Sequence, residues 1–243
     1  ARVRGIKPDS SIWNVISAKL YDSCIDRVCP WWSDVRGSIG VDPALGGADD
    51  MVISVMRSGK LVKELVIAKC DAPEACSHIA VMQKDQFPEG GCAVVIDCDG
   101  LGAAISQFYR KMLPQTRLPI KLVEFYGSCS DHQIVDGQYQ NLRAEAAHYA
   151  KQRMTDGHIC LDGNEMARQE AIIEEYFINL RGKIQLEDKN DIRERIGRSP
   201  GRWDARKLAI WGFKYAEPIR KSDKWRDESG SSMLPSAGSS MSV

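Results

Sequence analysis

The chain has 243 residues, 43% of them apolar and 27% charged, with 33 basic side chains against 33 acidic ones. That length and mix describe a soluble globular domain with appendages, ample for a central sheet covered on both faces. A formal net charge of zero excludes a protein that coats DNA by bulk charge, although a carboxylate metal site and a basic DNA track would cancel in the same sum.

Residues 1–35 read as an N-terminal arm. Pro8-Asp9-Ser10-Ser11 is a turn and helix-cap signal, residues 12–27 carry a helical mix of apolar and polar positions, and Trp31 and Trp32 are candidate anchors. A run of strands follows. Residues 37–42 are short and end on Asp42, residues 51–56 are apolar enough for an inner strand, and Arg57-Ser58-Gly59-Lys60 is a tight turn into a third strand at 61–68. Residues 72–86 suit a crossover helix. Residues 92–97 are an unbroken apolar run ending on Asp97, the pattern of a strand buried on both faces.

Gly100 and Gly102 open a predicted helix over 103–113 that stops near Pro114, and 119–125 is another strand. Helices are expected at 138–154, 163–180, 188–196 and 202–215, with a short strand at 183–187. The tail, 222–243, is rich in Ser, Gly and Met without periodicity and is expected to be flexible, leaving 36–221 as the domain proper. The element order describes an α/β fold, a mixed central sheet flanked by helices on both faces.

Eight cysteines (Cys24, Cys29, Cys70, Cys76, Cys92, Cys98, Cys129 and Cys160) form no CxxC pair and no zinc spacing with histidine. They read as reduced, small core residues of a cytosolic protein. His78, His132, His148 and His158 are scattered and read as surface or packing residues. No signal peptide is expected from these residues, which hold no apolar run near the length of a membrane span. The first residue is Ala1 rather than Met, as in a piece excised from a longer chain.

Three acids carry the functional expectation. Asp42 and Asp97 end predicted strands, and Asp204 lies at the start of the last predicted helix. Taken singly, each also suits a turn or a helix cap. Taken together, carboxylates at the ends of adjacent central strands repel and raise each other's pKa unless a cation neutralises them. Oxygen-only ligation favours Mg²⁺ or Mn²⁺, and a pair of such ions suits phosphodiester cleavage. Residues 189–207 are locally basic; Lys189, Arg193, Arg198, Arg202, Arg206 and Lys207 are candidate DNA contacts, or else form a solvated helix face with internal ion pairs. No base-reading motif is evident, so little sequence preference is expected.

Several segments resemble the C-terminal nuclease domain of tailed-phage terminase large subunits, a branch of the RNase H-like superfamily. Val3-Arg4-Gly5 with Pro8 and Ser11 is similar to the family's segment after its ATPase domain. Gly40-Val41-Asp42-Pro43-Ala44, on through Gly47 and Asp49 to Val52-Ile53, resembles the first acidic motif, and Val95-Ile96-Asp97 with Gly100-Leu101-Gly102 the second. Tyr139 to Glu145 resembles a family helix start, and Lys183 to Lys189 leads to Arg195-Ile196-Gly197-Arg198-Ser199-Pro200 and Asp204-Ala205, the most specific stretch. The chain departs from the pattern at Gly201, where an acid is frequent, and at Arg206, where Leu is common.

The resemblance implies an RNase H-like fold and a two-metal-ion endonuclease that cuts concatemeric double-stranded viral DNA during genome packaging in the host cell cytoplasm. Asp42, Asp97 and Asp204 would be the catalytic, metal-binding triad with Mg²⁺ or Mn²⁺, Asp42 bridging, and Asp49 and Asp99 accessory acids or plain loop residues. It implies as partners double-stranded DNA, a portal protein, a small terminase subunit and an ATPase domain preceding Ala1 in the same polypeptide. No GxxxxGK[ST] segment occurs in these 243 residues, so ATPase activity is not expected of them. The competing readings are another RNase H-like nuclease, resolvase or transposase-like, and a non-catalytic module that docks on the portal or the small subunit.

Overall fold

The structure is a computed structural model that describes residues 13–28, 37–44, 49–116 and 118–216. The segments expected to hold Pro8, Trp31, Trp32, Cys29, Gly47 and the tail lie outside the described residues.

In chain order the elements are α1 (Ala18–Asp22), β1 (Gly37–Asp42), β2 (Met51–Arg57), β3 (Lys60–Ile67), α2 (Ala72–Gln86), β4 (Cys92–Asp97), α3 (Gly102–Thr116), β5 (Ile120–Phe125), α4 (Leu142–Thr155), α5 (Glu165–Ile173), β6 (Tyr176–Ile178), β7 (Ile184–Leu186), α6 (Lys189–Ile196) and α7 (Gly201–Gly212). Five strands form one mixed sheet in the order β3-β2-β1-β4-β5. β1 pairs antiparallel with β2 and parallel with β4, and β5 continues the parallel half. This is the RNase H-like mixed sheet anticipated above.

Local chemistry accounts for most boundaries. Ser58 and Gly59 both take positive φ, 48° and 78°, between the paired residues Arg57 and Lys60, the two-residue turn whose twist suits a hairpin. β1 and β4 are buried through their first five residues, as strands covered on both faces must be. A capping box, with Asp71 accepting from the Glu74 N–H and Glu74 returning to the Asp71 N–H, starts α2. Gly197 in the left-handed region ends α6.

Three expectations are corrected. α3 runs past Pro114 to Thr116, because a proline in the last turn forfeits only one hydrogen bond. The helix expected over 163–180 stops at Ile173: Glu174 is extended, and Tyr176–Ile178 instead pair with β7 in a small separate hairpin. The arm's predicted helix is also shorter, confined to Ala18–Asp22, and Trp13 packs edge-on against Tyr176 at 5.6 Å.

One face of the sheet is covered by α2 and α3, around Ile39, Ile53, Ile79, Val94 and Ile105. The other is covered by α7, flanked by α4 and α5. α7 lies directly on β1. A Cβ added at Gly40 would fall 2.1 Å from the Ala205 carbonyl oxygen and 2.3 Å from the Ala209 nitrogen, so only glycine lets the helix backbone come this close. Six of the seven described cysteines are buried, and all seven are unpaired thiols. No helix among the described residues is long and apolar enough to cross a membrane.

Candidate active site

Parallel pairing of β1 with β4 sends both strands toward the same edge of the sheet, in a register that matches Val41 with Ile96. The next residue on each is an aspartate, so Asp42 and Asp97 leave the apolar interior side by side. The close contact of α7 with β1 brings the first turn of that helix over the same edge. There Asp204 is buried, and a Cβ at Gly201 would lie 3.0 Å from Asp42 Oδ2. From the other side α6, capped by Asp188, delivers its first residue into the group: Lys189 Nζ stands 3.0 Å from Asp204 Oδ2 and 3.6 Å from Asp97 Oδ2. Lys189 thus meets Asp97 and Asp204 directly and acts on Asp42 through its charge. Asp97, Asp204, Lys189 and Lys207 line a cleft together with Asp99, Gly127 and Arg143.

The site is short of positive charge. Burial pushes the Asp42 carboxyl well above its ordinary range; Lys189 opposes the shift, while the charges of Asp204 and Asp97 reinforce it. Burial likewise raises Asp97, against Lys189 and the Asp99 N–H, which donates to its Oδ1 at 3.0 Å. Asp204 goes the other way. Burial would raise it, but Lys189, Lys207 and Arg143, with a hydrogen bond from Lys207, outweigh that and hold it far below the usual carboxylate range. Lys189 itself is held above its ordinary value, chiefly by Asp204. Burial and neighbouring acids thus oppose the charge on Asp42, and a further cation beside it would relieve both.

The donor set fits a hard divalent cation. It is all carboxylate oxygen. Asp204 Oδ2 is buried without a well-aligned hydrogen bond, and Gly201 keeps a side chain away from Asp42. Among the described residues no three acids, cysteines or histidines already close around a common point as a metal cage. The Lys189 ammonium stands between Asp97 and Asp204, at 3.6 and 3.0 Å.

The accessory acids separate. Asp99 faces the same cleft and accepts from the Ser128 N–H at 2.9 Å and the Ser128 hydroxyl at 2.8 Å. Asp49 does not join the triad; it pairs with Arg193 at 2.6 Å and lines a neighbouring recess with Arg198, Ser199 and Arg202.

The basic candidates divide as well. Arg193 and Arg198 are partly exposed, paired with Asp49 and Glu170, and Arg202 pairs with Glu64. Arg206 and Lys207 are corrected as DNA contacts. Arg206 is 0% exposed and bonds Glu64 at 2.7 Å, Asp162 at 2.9 Å and the Tyr21 hydroxyl at 2.9 Å. Lys207 is buried between Asp204 at 2.8 Å and Glu174 at 2.7 Å. Both lie on the helix that the sheet and α4 and α5 enclose, Arg206 inside the protein and Lys207 at the wall of the acidic cleft, and the charge of each is taken up by protein carboxylates.

Sequence reasoning also passed over Arg143 and Glu174. Arg143 stood inside the Tyr139–Glu145 segment that carries part of the family resemblance, whereas Glu174, in what read as mid-helix, gave no signal.

A mixed sheet of this order, with an acidic cluster at the edge where β1 and β4 end, is the RNase H-like class of fold. Solved structures with the same fold include the nuclease domain of the large terminase subunit gp2 of bacterial virus Sf6, at TM-score 0.69 and 16% identity, covering 81% of this chain and 98% of that one. A variant of the same Sf6 domain was solved with manganese, at TM-score 0.68. The large terminase nuclease of thermophilic phage G20c, with bound magnesium, is similar at TM-score 0.56 and 15% identity over 82% of this chain and 97% of that one. The Thermus phage P74-26 large terminase nuclease domain is similar at TM-score 0.53 and 14% identity over 81% and 93%. No family model and no curated protein matches the chain. The shared feature is the fold, and it is the fold of the family that the acidic motifs resemble.

Proposed function

We propose that this chain is a terminase-type nuclease domain, a divalent-metal-dependent endonuclease that cuts double-stranded viral DNA during genome packaging. What supports the reading is that Asp42 and Asp97 end neighbouring parallel strands at the edge of the sheet where Asp204 and Lys189 meet. Mg²⁺ or Mn²⁺, as a pair of ions, would supply Lewis-acid stabilisation of the attacking and leaving oxygens of a phosphodiester.

The chain's own residues then divide the work. Asp42, between the other two acids, is the candidate shared ligand, and Asp97 and Asp204 flank it. Lys189 balances the acids in the metal-free protein, and its 40% exposed side chain has room to withdraw and meet a phosphate oxygen. Arg193, Arg198 and Arg202 line the approach beside α7 and are the candidate backbone contacts that remain. No side chain is placed as a covalent nucleophile.

The reading sets the domain in the host cytoplasm, within an assembly of portal protein, small terminase subunit and an ATPase domain of the same polypeptide. A supercoiled-plasmid assay tests it. Nicking and linearisation are expected with Mn²⁺ or Mg²⁺ and none with EDTA, without sequence preference; cleavage that survives EDTA would overturn the metal assignment.

A further inference from the structure

Asp204 is asymmetric. Its Oδ1 is anchored by Lys207 at 2.8 Å, one turn along the same helix, while its Oδ2, buried without a well-aligned hydrogen bond, meets Lys189 at 3.0 Å. Lys207 is itself tied down, with its ammonium 2.7 Å from Glu174 Oε1. Glu174 is buried at the end of α5 and is gripped by three side chains from two helices: by Lys207 and the Trp203 indole N–H of α7, the latter at 3.4 Å, and by Arg143 of α4 at 3.4 Å. Arg143 in turn donates to the Glu187 carbonyl at 2.9 Å, two residues before Lys189. Lys207 lines the cleft, and both close partners of its ammonium are protein carboxylates.

We infer that Lys207 and Glu174 form a positioning pair, which fixes the Asp204 carboxylate so that one oxygen is held inside the protein and the other is presented to a divalent cation. The inference rests on the nuclease reading above and names what aims one of its ligands. Groups that orient a metal's carboxylate ligand from behind set its affinity as well as its geometry. A lysine that served the fold alone would leave that affinity unchanged.

The test is Mn²⁺ titration by calorimetry on the full chain, with thermal unfolding in EDTA and plasmid cleavage alongside. Lys207→Met, which keeps the stem and removes the ammonium, is expected to weaken Mn²⁺ binding by about tenfold or more. Its cleavage should be partly restored at high Mn²⁺. Lys207→Arg should recover most of the affinity, and Glu174→Gln should fall between Lys207→Met and the parent.

Lys207→Met that melts lower yet binds Mn²⁺ as the parent does would overturn the inference and leave the pair purely structural. Should Lys207→Met not fold, Glu174→Gln decides: parental affinity there overturns the inference equally. A parent chain that neither binds Mn²⁺ nor cleaves overturns the nuclease reading itself, an outcome distinct from a parent that binds and cleaves while Lys207→Met is indifferent.

Discussion

α7 carries two charged clusters of opposite design. Around Arg206, cations and anions match: Arg202 and Arg206 meet Glu64, and Arg206 also meets Asp162 and the Tyr21 hydroxyl. Around Asp204, two residues earlier, the count is skewed. Asp42, Asp97 and Asp204 share Lys189, and Lys207 is divided between Asp204 and Glu174. The balanced cluster ties α1, β3 and α7 together. The unbalanced one stores carboxylate repulsion at the edge of the sheet, where solvent and substrate can enter. Charge imbalance, rather than the presence of charge, separates the candidate site from the scaffold on the same helix.

The sharpest way to break the contrast is Asp42→Asn. Cleavage in Mn²⁺ should fall by a hundredfold to a thousandfold, on the order of the several kcal/mol that metal-assisted charge stabilisation supplies. The metal-free fold should hold or gain stability as repulsion is relieved. Plasmid cleavage and thermal unfolding in EDTA read the two effects; parental cleavage at saturating Mn²⁺ would remove Asp42 from the site.

Arg206→Met should do the reverse. Removing one partner of a buried, balanced cluster leaves Glu64 short of a cation and should cost about 3 kcal/mol or more of stability. Mn²⁺ affinity of the folded fraction should be unchanged. Urea unfolding paired with calorimetry checks it, and a loss of Mn²⁺ affinity without a loss of stability would erase the distinction between the clusters.

Lys189→Ala sharpens the comparison from inside the site. Without the ammonium the metal-free protein should melt a few degrees lower, since a partly exposed pair is worth about 1 kcal/mol or less. The further rise in melting temperature on adding Mn²⁺ should exceed that of the parent, because Asp97 and the Oδ2 of Asp204 then lack the ammonium that stands closest to both. An equal Mn²⁺-induced rise in both proteins would argue that the ammonium and the ion do not compete.

The smallest effect is the pH dependence of the metal-free protein. Asp42 and Asp97 have folded-state pKa values raised above the ordinary 3.8, so their contribution is full below that value and is lost as pH rises through the raised ones. Asp204, held low, works oppositely: its contribution is present above 3.8 and is lost only as pH falls through its depressed value. A shallow decline in stability with rising pH is expected above the ordinary carboxylate range, flattened in Asp42→Asn. Mn²⁺ should bind more tightly across the same rise, since the Asp42 proton must leave. Denaturation curves in EDTA across that range, with no difference in slope between parent and variant, would count against the raised Asp42.

Much of the fold was legible because its signals are local. The apolar runs before Asp42 and Asp97 mark strands buried on both faces, Ser58-Gly59 marks a hairpin turn, and acids at the ends of such runs stand out because burying them unpaired is costly. The α5 boundary was not legible. Residues 163–180 have helical periodicity, and what ends the helix at Ile173 is the grip on Glu174 by Lys207, Arg143 and Trp203, residues roughly thirty positions away on either side.

The basic stretch from Lys189 to Lys207 shows the same division. Its composition is written in the sequence, but composition does not say which side chains face out. Because α7 is pressed onto β1 by the glycine at position 40, Arg206 and Lys207 turn into the protein and find Glu64 and Glu174, while Arg193 stays outside and Lys189 turns into the acid cluster. The sequence by itself determined the strands, their terminal aspartates and the order of the motifs, since each depends on neighbours within a few residues. Only the tertiary structure decided which charges balance and which do not, since ion pairing depends on which side chains, distant along the chain, share a place shielded from water.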